Sequence, residues 1–427
     1  MNRQQLGWVF FCLLGWLLLG CQPTLSVAPV TPTASPIAPS NLQTNSPENA
    51  GTPKVSLVIW VSQDMAEGAG YQLFQERLEK FVASRPNFEI KLRVKARSGG
   101  AGMVTALNAV QKAAPANAPD VVLLNSGQVW QAMSNQLLQP LKMDWSGELP
   151  AELPVNIVAP VYLENEIYGL PFAANPWVLA SNADLDEQVI PTWRSILASK
   201  ARVGFAAADV SSNFAVQGYL AGGGNFNLDA ETNKLDVQRV AVLRFFNWLA
   251  TLKRDDMLLP DLFILQSRED IWSLLNNSRS AIFTDYRTYQ RNVQQSASAP
   301  QILPVPMSEE QTPLYVSEVW YFAITTTDSQ RQAEAQALLD LLLQPEFLAQ
   351  WASADGFFPL SPQVVQNQIP TVLAFQRQVL PAMTIRPAPE LFDPLHNALQ
   401  KGVTALLQDG QTAQQSTQVT MDALDTP

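Results

Sequence analysis

Residues 54–126 alternate between two periodicities, and that alternation restricts the fold more than any other feature of the chain. "KVSLVIWV" (54–61) is an apolar run of strand length, and "YQLFQERLEKFVASR" (71–85) carries apolar residues at helical spacing. "FEIKLRVKA" (88–96) alternates apolar with charged residues, "AGMVTALNAVQKAA" (101–114) returns to helical spacing, and "PDVVLLNS" (119–126) predicts a third strand. Strand, helix, strand, helix, strand in such a short stretch implies right-handed crossovers and a mainly parallel sheet. Ligands of such sheets sit beyond the carboxyl ends of the strands. The loops in that position are "SQDMAEG" (62–68), "RSGGAG" (97–102) and "NSGQ" (125–128).

A second strand-helix series follows. It comprises "ARVGFAAA" (201–208), a helix over 237–254, strands "RSAIFTDY" (279–286) and "EVWYFAIT" (318–325), a helix over 330–344, and a last long helix over 393–408. About 370 residues follow position 53, too many for one hydrophobic core, so two lobes are expected. No internal repeat is visible.

The chain of 427 residues holds only two cysteines, Cys12 and Cys21. Arg3 precedes an uncharged run over 6–20, which is shorter than the ~20 residues a spanning helix needs. No Lys or Arg cluster follows it, so a removable export signal fits better than a permanent anchor. "LLGC" (18–21) resembles the bacterial lipobox, which implies that Cys21 becomes the first mature residue and carries acyl chains. An ordinary signal peptide that contains a cysteine is the alternative. With Cys12 removed and Cys21 acylated, the folded part has no disulfide, thiol nucleophile or cysteine metal site. Residues 22–53 contain seven prolines and one charge, Glu48. They bury too little apolar surface to offset ordering, and predict a disordered tether of roughly 30 Å, or up to ~100 Å as polyproline II.

The formal charge is −11, and loss of Arg3 with the signal makes the mature chain one unit more acidic. That balance argues against nucleic acid and against an electrostatic grip on anionic lipid. His396 is the single histidine, which excludes His-based triads and multi-His metal centres. "LAGGGNFN" (220–227) lacks the Lys-Ser/Thr of a phosphate loop and reads as a turn between helices. "SGGAG" (98–102) before a helix could hold an anion, a signal common to many α/β chains. Asp and Glu are plentiful and no spacing marks a glycosidase pair, so a carboxylate-dependent glycosidase stays open. No cofactor and no metal are implied.

Four stretches in order resemble the extracellular solute-binding proteins of ABC importers, especially the sugar-binding family with maltodextrin- and trehalose-type receptors. They are the lipobox, "IYGLPFAANPWVLASN" (167–182), "RSAIFTDY" (279–286) and "LLDLLLQPEFLAQWASADGFFPLSPQV" (338–364). "TDYR" (284–287) departs from that family by lacking its usual Gly and Trp. The resemblance implies a non-enzymatic, monomeric α/β protein of the two-lobed periplasmic-binding-protein fold (type II-like), each lobe a mainly parallel sheet flanked by helices. Its division would be a signal over 1–20, lipidated cysteine and tether over 21–53, lobe 1 over 54–172, lobe 2 over 173–320, a return to lobe 1 over 321–368, and C-terminal helices on lobe 2 over 369–427. Hinges would lie near 171–175 and 317–321. The globular part would be exported, held to a bacterial membrane through lipid on Cys21, and would deliver a carbohydrate to the permease transmembrane subunits. A polyamine or amino acid receptor and a ligand sensor are the alternatives.

Sugar sites combine aromatic platforms with planar polar side chains. By position on the family pattern the site residues would be Asp64, Asn125, Ser126, Asn175, Trp177, Ser212, Asn213, Tyr286, Arg287, Glu318, Trp320 and Phe392. Each has a structural alternative. Trp177 and Trp320 could be core, Asp64 could cap a helix, Asn125 and Ser126 could shape a turn, and Arg287 could pair with a surface carboxylate. Trp248 and Trp351 read as packing residues.

Overall fold

In the computed structural model, residues 40–43, 55–96, 100, 102–141, 155–186, 189–209, 213–265, 268–275, 279–294, 299–309, 311–360 and 370–425 are described. Strands β1 (Ser40–Gln43), β2 (Val55–Ser62), β3 (Phe88–Lys95) and β4 (Val121–Asn125) open the fold, with helices α1 (Ala69–Ala83), α2 (Met103–Ala113) and α3 (Ser126–Ser134) between and after them. β2 pairs parallel with β3 along its whole length and with β4 at Ile59 and Trp60, as the alternating periodicity implies.

Then come β5 (Leu170–Ser181), α4 (Trp193–Ser199), β6 (Arg202–Gly204), α5 (Phe214–Ala221) and α6 (Arg239–Arg254). β7 (Ser280–Asp285), α7 (Tyr286–Val293), β8 (Gln301–Pro304) and β9 (Tyr315–Ile324) follow. The chain ends with α8 (Ser329–Leu342), α9 (Pro345–Asp355), β10 (Phe358–Pro359), α10 (Pro370–Val379), β11 (Met383–Ile385), α11 (Pro389–Leu407) and α12 (Ala413–Asp425). The main sheet runs β1-β3-β2-β4-β9-β5-β7-β6, with β8 and β10 also on β5 and β11 on β9.

Two long strands tie the lobes together. The first half of β5 pairs antiparallel with β9, from Phe322↔Leu170 to Ser317↔Pro176, and its second half pairs with β7, from Trp177↔Asp285 to Ser181↔Ala281. Pro176 stands where β5 changes partner, a position where a missing N–H donor costs no regular ladder bond. The segments expected as hinges, 171–175 and 317–321, thus lie side by side.

One hydrophobic cluster fills the face of lobe 1 under α1, α8 and α9, with Phe172 and Phe322 stacked at 4.1 Å. The other runs from the α2 and α3 face of lobe 1 through the crossing into lobe 2. There Trp193 stacks on Trp248 at 5.3 Å. Trp248 and Trp351 are packing residues, as expected.

Two expectations need correction. Ser40–Gln43, placed in the disordered tether, pairs antiparallel with β3 from Ser40↔Leu92 to Gln43↔Glu89. The edge of β3 offers unpaired backbone groups, and pairing with them requires no apolar run. The helix expected to be last over 393–408 begins instead at Pro389, and a further helix, α12, packs on α11 and α6. Its buried positions are Ala413, Ser416, Thr417 and Thr420, small residues with weak apolar periodicity.

Candidate functional site at the strand crossing

Asn125 ends β4 and caps α3, a position favoured for a side chain that can accept from the first turn. Its Oδ1 accepts from Gln128 N at 2.9 Å, and Gln128 Oε1 accepts from Asn125 N at 3.1 Å. That turn role leaves Nδ2 free to donate to Glu318 Oε1 on β9 at 2.9 Å. Glu318 stands opposite Asn175 in the ladder between β9 and β5. Asn175 Oδ1 in turn accepts from the backbone N of Arg287 at 2.9 Å.

Arg287 lies in the first turn of α7, behind the Asp285 cap that accepts from Thr288 N. Its Nη2 donates to Asp64 O at 2.9 Å and to Asp355 Oδ2 at 2.5 Å, and its Nε donates to Asp355 O at 3.2 Å. The guanidinium also lies 4.2 Å over the ring of Phe357. The Asp355 side chain is 0% exposed and that of Arg287 is 12% exposed. Burial pushes the Asp355 carboxyl up to about 6 and lowers Arg287 from its ordinary value, so desolvation outweighs attraction at both ends of the pair.

Of the expected site residues, Asn125, Asn175, Glu318 and Arg287 thus gather at the crossing. A side-chain hydrogen bond joins Asn125 to Glu318, and Glu318 stands opposite Asn175 in the ladder. Asn175 accepts from the backbone of Arg287, and Arg287 reaches the carbonyl of Asp64. Asp64 sits in a short 3-10 turn and does not cap α1, whose N-cap is Gly68. Arg287 pairs with a carboxylate that is buried, whereas a surface partner was the alternative.

The aromatic platforms are a correction. Trp177 and Trp320 are each 2% exposed. Trp320 faces the lobe 1 core beside Phe357, and Trp177 faces the core that fills lobe 2. β5 is buried at every position, so strand alternation cannot turn a tryptophan toward water there. Phe392 is likewise core, with Arg386 4.3 Å over its ring and Phe226 at its edge. Tyr286 is packed between Phe358 and Phe375, and burial raises its phenol.

Ser126 and Asn213 are buried at the starts of α3 and α5, and among the described residues Ser126 Oγ and Asn213 Oδ1 have no hydrogen-bond partner. Ser212 lies outside the described residues, as does Cys21.

Sequence reasoning missed Asp355. A signal existed: an acid in the last turn of a helix opposes the helix dipole, which points to a partner elsewhere in the chain. Lys95 was also missed. It ends β3 with its Nζ 3.7 Å over the Trp60 ring, and burial lowers its pKa.

Two lobes thus share a crossing pair of strands, with polar side chains gathered beside it. Residues 76–374 match the family model described as bacterial extracellular solute-binding protein, and the chain belongs to that family. It is a non-catalytic solute-binding protein of the kind that serves ABC importers. Solved structures share the fold at low identity. Maltose-bound MalE3 from T. maritima is 16% identical with a TM-score of 0.66, over 87% of this chain and 99% of that one. The cyclic alpha-maltosyl-1,6-maltose binding protein from Arthrobacter globiformis is 14% identical with a TM-score of 0.66, over 87% and 98%. A Listeria monocytogenes ABC substrate-binding protein in complex with cycloalternan is 15% identical with a TM-score of 0.64, over 87% and 98%. No curated protein matches this sequence.

Proposed function

We propose that this protein captures a carbohydrate between its lobes and delivers it to the transmembrane subunits of an ABC importer. The observation that carries the reading is the gathering of Asn125, Glu318, Asn175 and Arg287 at the crossing. Amide, carboxylate and guanidinium groups of this kind match the paired donors and acceptors of sugar hydroxyls. The similar solved structures carry maltose or cyclic glucan names, which supports the same ligand class here. Solute that touches both lobes in one arrangement only adds to the stability of the closed state.

The test is the thermal midpoint of the protein against mono-, di- and oligosaccharides, polyols, polyamines and amino acids. A ligand at 100 times its dissociation constant adds about 2.7 kcal/mol of stability. A shift with one related set of sugars, lost in Glu318→Ala, is the expected outcome; no shift with any sugar rejects the assignment. Burial of Trp177 and Trp320 favours a second reading, a polyamine or amino acid, because stacking platforms are withheld. The same panel separates the two.

The mature protein is proposed to be held at the membrane by lipid on Cys21, since two acyl chains suffice for stable anchoring. A Cys21→Ser chain should leave the membrane fraction in cell fractionation, and its retention there would reject the anchor.

A further inference from the structure

Helix α7 belongs to lobe 2, where Tyr286 and Tyr289 enter the core. Its opposite stripe meets lobe 1, although Arg291 is still 41% exposed there. Arg287, Arg291 and Gln294 recur at helical spacing, and all three reach lobe 1. Arg291 Nη2 donates to Glu67 O at 3.3 Å and to Asp355 Oδ1 at 3.4 Å, and Gln294 Nε2 donates to Ser353 O at 3.1 Å. Together with the Arg287 contacts, these bonds join one face of a lobe 2 helix to two separate pieces of lobe 1, the loop after β2 and the end of α9.

The two lobe 1 pieces are shaped for this approach. Gly68 has φ +111°, and a Cβ there would lie 2.7 Å from Asp355 Oδ1. Gly356 has φ +78° and ends α9 so that the chain turns beneath Arg287, whose carbonyl would lie 3.3 Å from a Cβ at that position. Both backbone conformations suit glycine and leave room for the incoming helix.

We infer that α7 is a clasp that holds the two lobes together through protein groups alone, so that the solute-free protein rests closed. Every donor and acceptor in the clasp belongs to the chain, so its hold does not depend on solute. Asp355 makes it selective for the intact pair. Its side chain is fully buried while the lobes are joined, and without Arg287 the joined state would leave that carboxylate with only the longer contact to Arg291 at 3.4 Å. Opening returns that carboxylate to water. Solute therefore enters by way of a minority open state, which lowers apparent affinity by the open fraction. The inference rests on the reading of two hinged lobes, and it does not require the solute to be a sugar.

The test is small-angle X-ray scattering from the full chain without added solute. Wild type is compared with Arg287→Gln, and with the pair Arg291→Gln and Gln294→Ala, which removes the outer contacts and leaves the buried pair intact. Circular dichroism establishes that each variant is folded. The expected result is a compact wild type, a larger radius of gyration for Arg287→Gln and a smaller increase for the outer pair. If wild type is already as expanded as both variants, the clasp is wrong and the hinged lobes stand. If all three are equally compact, the clasp is wrong and the hinge reading falls with it.

Discussion

The lobes meet in two regions of opposite construction. At the crossing, β5 and β9 share a backbone ladder that is buried on the β5 side throughout, and one hydrophobic cluster continues through it from lobe 1 into lobe 2. At the clasp, a polar stripe of α7 meets carbonyls and one carboxylate across a seam of side chains. A strand ladder can twist without losing its pairing, so the crossing can bend as the lobes move. Side-chain bonds to a buried partner are lost together once the partner moves away. The contrast assigns permanence to the first region and release to the second.

Removing Trp320 should produce the largest effect and bears on the first half of that contrast. The indole is 2% exposed and packs in the lobe 1 core beside Phe357. Trp320→Ala should cost about 3–5 kcal/mol of global stability, as large-to-small core changes do. The measurement is the urea midpoint with an unchanged slope, which separates lost stability from altered compactness. Arg287→Gln should cost clearly less in the same experiment, because opening the seam rehydrates Asp355 without unfolding either core. Equal losses would mean that both regions are core, and the distinction would be gone.

Legibility in the sequence follows the same division. The β2-α1-β3-α2-β4 series is readable because buried helices and strands carry different apolar periods. β5 and β9 are readable as strands, but burial on both faces hides which of their residues point where. Trp177 and Trp320 were therefore expected beside a ligand and lie in the cores. Asn125, Asn175, Glu318 and Arg287 were placed by position on the family pattern, and the fold brings them together at the crossing. The place of Asp355 at a helix end signals a partner, but its partners lie 64 and 68 residues away in sequence and could not be named from its surroundings. α12 escaped because Ser and Thr fill its buried face, where Thr417 Oγ1 donates to Ala413 O at 2.7 Å and Thr420 Oγ1 to Ser416 O at 3.0 Å. β1 escaped because backbone pairing leaves no side-chain pattern.

The clasp also sets a pH dependence. Folding raises the Asp355 carboxyl from its ordinary 3.8 to about 6, chiefly by burial, with the Arg287 and Arg291 charges opposing the rise. The folded state therefore holds this proton more tightly than the unfolded state does. The stability that comes from it is complete below about pH 4 and is lost as pH rises through about 6, a fall of roughly 2–3 kcal/mol. Asp120, also raised by burial, adds a slope of the same sign. The informative quantity is thus the difference between wild type and Asp355→Asn in urea midpoints from pH 4 to 7. The variant should show a shallower decline over that window, and parallel curves would place the proton elsewhere.

The smallest expected effect lies at β1, a short strand on the edge of β3. Four residue pairs join it to the edge of β3. Each backbone hydrogen bond in such a ladder contributes about 0.5–1.5 kcal/mol, and the ordering of an otherwise extended segment offsets most of that. Replacing Asn41 and Leu42 together by proline removes their N–H donors and should lower global stability by no more than about 1 kcal/mol. The local readout is larger. Amide hydrogen exchange over residues 89–92 should accelerate in the variant, while the amides of β5 and β9 keep their protection. Exchange that rises at β5 as well would make β1 part of the structure that steadies the crossing, and the division between permanent and releasable contacts would then extend to the start of the folded chain.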